Sequence, residues 1–136
     1  MPDQGYYEKR PRPESIDKLS TYLDLKPIVS STRQLDEHRF IVKRNEKKSL
    51  NLFLTNIYIV GEADVIEILA DAPETNAIVT MSAWNSYSRD AKIYAKELDV
   101  GLFTFSEFLG AVYYDGKSFL DYTPPSAEER AKRHSL

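Results

Sequence analysis

The chain has 136 residues, of which 42% are hydrophobic and 29% charged, a composition that indicates one globular domain and excludes disordered or fibrous classes. With 18 Lys and Arg side chains against 21 Asp and Glu, the net charge of −3 gives no overall attraction to nucleic acid. Cysteine is absent, which excludes disulfides, thiolate metal sites and cysteine nucleophiles and fits a reducing compartment.

No segment of the sequence indicates secretion or membrane attachment. The N-terminus lacks an apolar stretch, and the longest apolar window, Leu50 to Val60, is shorter than the ~20 residues that a membrane-spanning helix needs. We therefore expect a cytoplasmic protein with no membrane partner. Gly61 and Gly101 stand alone, so there is no phosphate-binding loop, and no nucleotide cofactor is expected.

Composition divides the chain into three segments. Residues 1–13 hold three prolines and no periodic pattern, which predicts a flexible N-terminal arm. Residues 14–122 carry the periodic elements of a single α/β domain, and residues 123–136 form a charged C-terminal tail.

The first half of the domain predicts a helix followed by a hairpin. Apolar residues at three- to four-residue steps predict a helix from Glu14 to Leu25. Arg39 to Arg44 and Ser49 to Val60 have the composition of strands, and the polar run between them predicts a hairpin turn. The second run is either one bent strand or two strands broken near Thr55.

The second half alternates helices and strands. Helices are predicted from Gly61 to Pro73, from Ser86 to Asp99, and from Thr104 through Val112 or Tyr113, the last opened by a capping box. Between them lie two short apolar strands, Ala77 to Met81 and Val100 to Phe103. This alternation predicts an α/β fold with a mixed sheet, in which parallel strands join the antiparallel hairpin and helices flank both.

Residues 77–112 resemble the closing part of restriction-endonuclease-like domains, the PD-(D/E)xK superfamily. The resemblance rests on the strand and turn from Ala77 to Trp84, the segments Ser88 to Ala91 and Tyr94 to Ala95, and the short strand Val100 to Leu102. It covers about a quarter of the chain. It implies a restriction-endonuclease-like fold for the whole domain.

The resemblance also implies a nuclease dependent on Mg²⁺ or Mn²⁺, with an acid on one strand and an acid-x-Lys triplet on the next. The nearest match to the triplet is Glu46 to Lys48, ten residues after Asp36, which makes Asp36, Glu46 and Lys48 the candidate catalytic residues. The apolar strand from Leu50 to Val60 contains neither acid nor lysine. This pattern favours a member of the superfamily that has lost catalysis.

One concentrated basic region lies on the predicted hairpin. Its five basic residues are expected on the hairpin's ends and solvent face, where they would contact phosphates of DNA or RNA. Alternatively, these side chains only keep the hairpin edge from pairing. The residues are Arg39, Lys43, Arg44, Lys47 and Lys48.

The region from Glu62 to Glu74 has five acids and no base. Such a helix face is usually only solvated, but it is also a candidate surface for a basic protein partner or a homodimer. Glu62 and Asp64, at the strand-to-helix junction, are candidate ligands for Mg²⁺ or Mn²⁺.

Trp84 and Tyr87 follow the apolar strand that begins at Ala77. Loops at the carboxyl ends of parallel strands often face ligands, so we expect both rings to be exposed and available to stack on bases.

Three functions therefore fit the sequence. The first is a nucleic-acid-associated, restriction-endonuclease-like domain that is catalytically degenerate and contacts phosphates through its basic hairpin. The second is an active endonuclease dependent on a divalent metal. The third is a protein-interaction or homodimerisation module that does not bind nucleic acid.

Overall fold

The computed structural model describes residues 9–124, which form a five-stranded mixed sheet with helices on both faces. The elements in chain order are α1 (Pro13–Asp24), β1 (Val29–Gln34), β2 (Arg39–Arg44), β3 (Lys47–Thr55), β4 (Ile59–Val60), α2 (Glu62–Asp71), β5 (Ala77–Thr80), β6 (Ser86–Tyr87), α3 (Arg89–Glu97), β7 (Gly101–Thr104), α4 (Phe105–Ala111) and α5 (Gly116–Leu120).

The strands of the large sheet lie in the order β1-β2-β3-β5-β7, antiparallel from β1 to β3 and parallel from β3 to β7. β4 and β6 pair in parallel as a separate small sheet. This arrangement confirms the predicted α/β class, with its hairpin and parallel half.

The core is divided by the sheet. Successive residues of a strand point to opposite faces, so Val79 packs in the cluster that contains residues of α1, α4 and α5, while its neighbour Ile78 packs in the cluster with residues of α2 and α3. The same alternation separates Phe103 from Leu102 on β7. Burial on both faces explains why β5 and β7 have apolar sequences without alternation.

The long apolar run of the first half is two strands rather than one. β3 ends at Thr55, whose Oγ1 donates to the carbonyl of Lys9 at 3.0 Å, and the amide of Asn56 donates to the same carbonyl at 2.8 Å. The described end of the predicted arm thus packs against the sheet, and Pro11 is buried. The rest of that arm, and the tail beyond residue 124, lie outside the described residues.

Helix α3 begins at Arg89, three residues later than predicted. Ser88 is its N-cap and accepts a hydrogen bond from the amide of Ala91 at 3.1 Å. The preceding residues, Ser86 and Tyr87, instead pair with Ile59 and Val60. The predicted helix therefore loses its first turn to the small sheet.

Strand β1 is absent from the predicted elements because its sequence is polar. Its residues after Val29 read Ser-Ser-Thr-Arg-Gln, since β1 is an edge strand and only Val29 and Thr32 are partly buried. The hydroxyls of Thr32 and Ser20 on α1 lie 3.3 Å apart, which joins the strand to the helix.

Between residues 9 and 124, no helix combines the length and apolar character needed to span a bilayer.

At the end of β2, next to the hairpin turn, Arg44 is buried with its side chain only 1% exposed. Its Nη1 donates to the carbonyls of Val112 at 3.1 Å and Tyr114 at 2.8 Å, and its Nη2 donates to Asp115 Oδ1 at 2.5 Å. Its Nε donates to the carbonyl of Lys48 at 2.9 Å. One guanidinium therefore joins the hairpin turn to the segment that links α4 and α5.

The prediction that Arg44 lies on the solvent face is wrong. Phe40, Val42 and Arg44 occupy alternate positions of β2, and all three are buried, so Arg44 follows the register of the core. A guanidinium is tolerated there because carbonyl and carboxylate oxygens accept four of its hydrogen bonds.

We expect Arg44→Met to lower the free energy of unfolding by about 3 kcal/mol, because it leaves buried carbonyls without donors. Urea unfolding measures the change. The matched control is Lys43→Met, at the preceding residue of the strand, which lies on the exposed face. Its free energy of unfolding should change by no more than about 0.5 kcal/mol. Equal effects of the two substitutions would contradict this role of Arg44.

Candidate functional site

The structure does not assemble the candidate catalytic residues. Asp36 lies in the turn before β2, whereas Glu46 lies at the tip of the turn after it, with a φ of 62°. Lys48 is the second residue of β3 and lies at the same end as Glu46. The six residues of β2 separate Asp36 from the other two by roughly 20 Å. The structure therefore does not bring the three predicted catalytic residues together.

Asp36 is instead part of the β1–β2 turn. Its Oδ1 accepts from the amides of His38 at 2.9 Å and Arg39 at 2.7 Å, and its Oδ2 accepts from Arg39 Nε at 2.7 Å. Within residues 9–124, no three His, Cys, Asp or Glu side chains are grouped so that they would hold a metal ion. The Asp36 carboxylate is thus engaged by three donors of its own turn.

The candidate ligands on α2 are also occupied or isolated. Asp64 Oδ2 accepts from the amide of Gly61 at 2.8 Å, which closes the first turn of the helix, and Glu62 is exposed beside it. A carboxylate at a helix start stabilises the positive end of the helix, which accounts for Asp64 without a metal.

The acidic region meets basic side chains of the same chain. Lys9 Nζ lies 3.8 Å from Glu67 Oε1, and Arg39 Nη1 lies 3.6 Å from Glu74 Oε1. Both pairs are exposed, so each contributes little to stability. They do reduce the net negative charge that this surface offers to a basic partner.

The five basic residues of the hairpin divide into three groups. Arg44 is buried, as described above. Arg39 pairs with Asp36, and Lys47 Nζ lies 3.6 Å from Asp115 Oδ2. Lys43 and Lys48 are exposed, and the structure gives them no ion pair within the described residues.

The exposed side chains of β1 and β2 form a continuous surface, which we call the hairpin face and define by Ser31, Arg33, Arg39, Ile41 and Lys43. Arg33 pairs with Ile41 and Ser31 with Lys43 in the ladder, so these side chains project to one side. Arg33 is exposed and, within residues 9–124, makes no ion pair. The hairpin face therefore carries three cations, of which only Arg39 has an acidic partner in the described part of the chain.

Tyr87 is not exposed as predicted. Its hydroxyl contacts Glu107 Oε1 at 2.9 Å and Oε2 at 3.0 Å, and Lys92 Nζ lies 5.4 Å from the centre of its ring. Burial and the contact with Glu107 raise the pKa of Tyr87. Glu107 also accepts from the amide of Thr104 at 3.0 Å, as the predicted capping box requires. Tyr87 is thus partly buried, with its hydroxyl bound to Glu107 and the Lys92 ammonium near its ring.

Trp84 is exposed as predicted, with 67% of its surface accessible. It lies in a tight turn after β5, in which the amide of Asn85 donates to the carbonyl of Ser82 at 2.9 Å. The next residues are held as well, because the amide of Ser86 donates to the carbonyl of Tyr58 at 2.8 Å. The exposed indole is therefore presented by a segment that is tied on both sides.

The side chains beneath this turn form what we call the Asn85 cluster, composed of Asn56, Thr80, Ser82 and Asn85. Asn85 Nδ2 donates to Asn56 Oδ1 at 2.9 Å and to Thr80 Oγ1 at 3.0 Å. Ser82 Oγ donates to the same Asn56 oxygen, and Thr80 Oγ1 donates to the carbonyl of Ile57 at 2.7 Å. Asn85 is only 5% exposed, so these bonds replace those it would make with water.

Beside the turn, α1, the loop after β5 and the start of α4 enclose a cavity of about 290 Å³, which we call the carboxyl-end cleft. It lies at the carboxyl ends of the parallel strands β5 and β7, where α/β sheets commonly bind ligands. Its lining includes two cations and no acid. The lining residues are Arg12, Ser15, Lys18, Met81, Ser82, Ala83, Trp84, Thr104, Phe105 and Ser106.

Comparisons with known proteins add no relationship. No family model matches the chain, and neither a curated protein nor a solved structure matches it significantly.

The sequence points to Trp84 but not to the cations beside it. Arg12 falls within the predicted flexible arm, and Lys18 lies on the helix that follows, so only the fold brings them near residue 84. Arg33 was missed because its strand was missed. The helical spacing of Ser15 and Lys18 from Arg12 is the one signal that these three share a face.

Lys92 on α3 provides a pH-dependent test of how α3 packs against β7. Its Nζ donates to the carbonyl of Leu102 at 2.6 Å and lies 4.2 Å from the centre of the Phe103 ring. Burial lowers the pKa of Lys92 from 10.5 to about 8. Between these values, the unfolded chain binds a proton at this lysine that the folded chain does not bind, so this residue's contribution to stability rises with pH.

We therefore expect the wild type to gain stability relative to Lys92→Met as the pH is raised from about 8 to 10.5. Paired urea titrations across this range measure the difference. A difference that stays constant or shrinks with pH would contradict the burial of this ammonium group.

Proposed function

We propose that this chain is a nucleic-acid-associated domain of the restriction-endonuclease-like type that lacks catalytic activity and contacts phosphates through the hairpin face. The observation that carries the proposal is the open surface of β1 and β2, where Arg33 and Lys43 are exposed and unpaired within the described residues. Cations held on a rigid strand surface bind phosphates without regard to base sequence.

The order of elements from residue 77 onward supports the restriction-endonuclease-like part of the proposal. β5, α3, β7 and α4 follow one another as the resemblance implies, and the spaced alanines Ala91 and Ala95 are buried on α3. This support concerns the fold alone. The separation of Asp36 from Glu46 supports the absence of catalysis.

Charge favours the binding of a polyanion by the hairpin face over the binding of a basic protein by α2. Two of the five acids that would attract a basic protein already have cationic partners, since Glu67 on α2 pairs with Lys9 and Glu74 after the helix pairs with Arg39. Arg33 and Lys43 have no such partner in the described part of the chain, so a polyanion meets less competition there than a basic protein meets on α2.

We expect the protein to bind a fluorescein-labelled oligonucleotide at about 50 mM salt, with affinity that falls steeply as salt rises. In Arg33→Ala/Lys43→Ala, the slope of log K against log salt should fall by about 2, because two phosphate contacts are removed. Fluorescence anisotropy measures both quantities.

The matched control is Lys26→Ala/Lys117→Ala, which removes the same charge at one partly buried and one exposed position that are not part of the hairpin face. This variant should keep the wild-type slope to within the error of the measurement. Absence of binding to both single-stranded and duplex DNA and RNA at about 50 mM salt would refute the proposed function. Equal losses in the two double variants would refute the hairpin face.

We also expect no cleavage of plasmid DNA or of RNA after prolonged incubation with Mg²⁺ or Mn²⁺, because no metal-binding group is assembled within residues 9–124. Gel electrophoresis of the incubated substrate measures this. Cleavage by the wild type that is lost on substitution of a carboxylate in this chain would overturn the non-catalytic assignment.

A further inference from the structure

We infer that the carboxyl-end cleft binds one unpaired nucleotide of a single strand, with the base stacked on Trp84 and the phosphate held by Arg12 and Lys18. This inference rests on the proposed association with nucleic acid and adds a second, distinct contact surface that selects single strands.

The first argument is charge. Arg12 is the N-cap of α1 and Lys18 lies on the helix six residues later. Both are exposed, and neither makes an ion pair within residues 9–124. No acid lines the cleft. Two cations in a concave, acid-free surface repel each other in the free protein, and an anion placed between them relieves that repulsion.

The second argument is that the exposed Trp84 side chain stands on a fixed turn. An indole that is 67% exposed gains little from burial, yet the turn that carries it is fixed by the Asn85 cluster beneath it. An aromatic side chain has only two rotatable bonds, so on a fixed backbone it loses little conformational freedom when a ligand stacks on it. Stacking on bases is one such use, and it needs a flat face open to solvent.

The third argument is size and chemistry. At about 290 Å³, the cleft lies at the lower end of the range for small-ligand sites, which suits a single nucleotide and excludes a duplex from entering. Hydroxyls of Ser15 and Ser106 line it and can both donate and accept hydrogen bonds, and the Ser82 hydroxyl, which donates to Asn56, can still accept one. Such groups pair with the edge of a base that is not already paired to another strand.

The fourth argument excludes the hairpin face as the site of base contact. Its side chains include no aromatic residue, and its cations stand on a flat strand surface. Such a surface contacts a phosphate backbone but has no ring on which a base can stack. The two surfaces therefore have different ligand chemistry within one nucleic acid.

Trp84 is the only tryptophan of the chain, so its fluorescence reports the cleft directly. We expect oligo(dT) and oligo(rU) of about ten nucleotides to quench Trp84 emission on binding, because the stacked base shields and quenches the indole. A duplex of the same length should bind with little quenching. Thymidine monophosphate should quench only at concentrations at least about tenfold higher than the strand, since it lacks the contacts to the hairpin face.

The test variant is Arg12→Ala/Lys18→Ala, which should weaken quenching by oligo(dT) about tenfold. Arg12 makes no side-chain cap to α1 and both residues are exposed, so the helix should be retained. Arg33→Ala/Lys43→Ala is the matched control and should lower the overall affinity while keeping the full quench at saturation. Anisotropy of a labelled strand provides the affinity of Trp84→Ala, which should also fall about tenfold.

Each outcome distinguishes the inference from the proposed function. Binding by anisotropy without any change in Trp84 emission would overturn the cleft as a site and leave the hairpin face intact. Equal quenching by thymidine monophosphate and oligo(dT) would overturn the strand as the ligand and assign the cleft to a free nucleotide. Absence of binding to every oligonucleotide would refute both.

Discussion

The hydrogen bonds of Asn85 determine the shape of the carboxyl edge of the sheet. This side chain is nearly inaccessible, so its amide must find partners in the protein, and it finds them in Asn56 and Thr80. Those two residues lie at the carboxyl ends of β3 and β5, so one side chain fixes where both strands stop and how the turn between Met81 and Ser86 leaves the sheet. The exposed position of Trp84 and one wall of the cleft follow from that geometry.

Arg44 fixes the turn between β2 and β3 by its hydrogen bonds, as Asn85 fixes the carboxyl edge of the sheet. Its burial also removes it from the basic surface that the sequence suggests. The run of cations from Arg39 to Lys48 suggests one basic surface, but Arg44 is buried, and Lys47 lies near the Asp115 carboxylate that Arg44 also contacts. The basic surface is instead built across two strands, by Lys43 on β2 and Arg33 on β1. The net charge of −3 is therefore the sum of separate basic and acidic surfaces. Neither the total charge nor the number of charges in a stretch of sequence shows where these surfaces lie.

Elements with a strong hydrophobic pattern were predictable, and those without one were not. The spacing of Ile16, Leu19 and Leu23 predicted α1 because one helix face is buried, and the apolar run after Ala77 predicted β5 because both of its faces are buried. β1 carries no such pattern, since an edge strand with an open face has few core contacts. Phe40, Val42 and Arg44 lie at alternate positions of a strand, and this spacing does indicate that Arg44 faces the core. The Asn85 cluster gave no signal, because Asn56 and Asn85 are 29 residues apart and are joined only by the fold.

The two parts of the proposed function, no metal centre and a phosphate-binding surface, are physically compatible. A group of carboxylates without its cation repels phosphate, so a domain that no longer binds the metal is better suited to nucleic acid when its acids are separated or neutralised. Asp36 illustrates this, because two backbone amides and the Arg39 guanidinium satisfy its carboxylate. In the proposed function, the hairpin face would supply affinity that depends on charge and not on sequence, and the cleft would supply geometry that only an unpaired base satisfies. Since the two surfaces use different residues on different elements, the proposal makes affinity and strand selectivity separable by substitution.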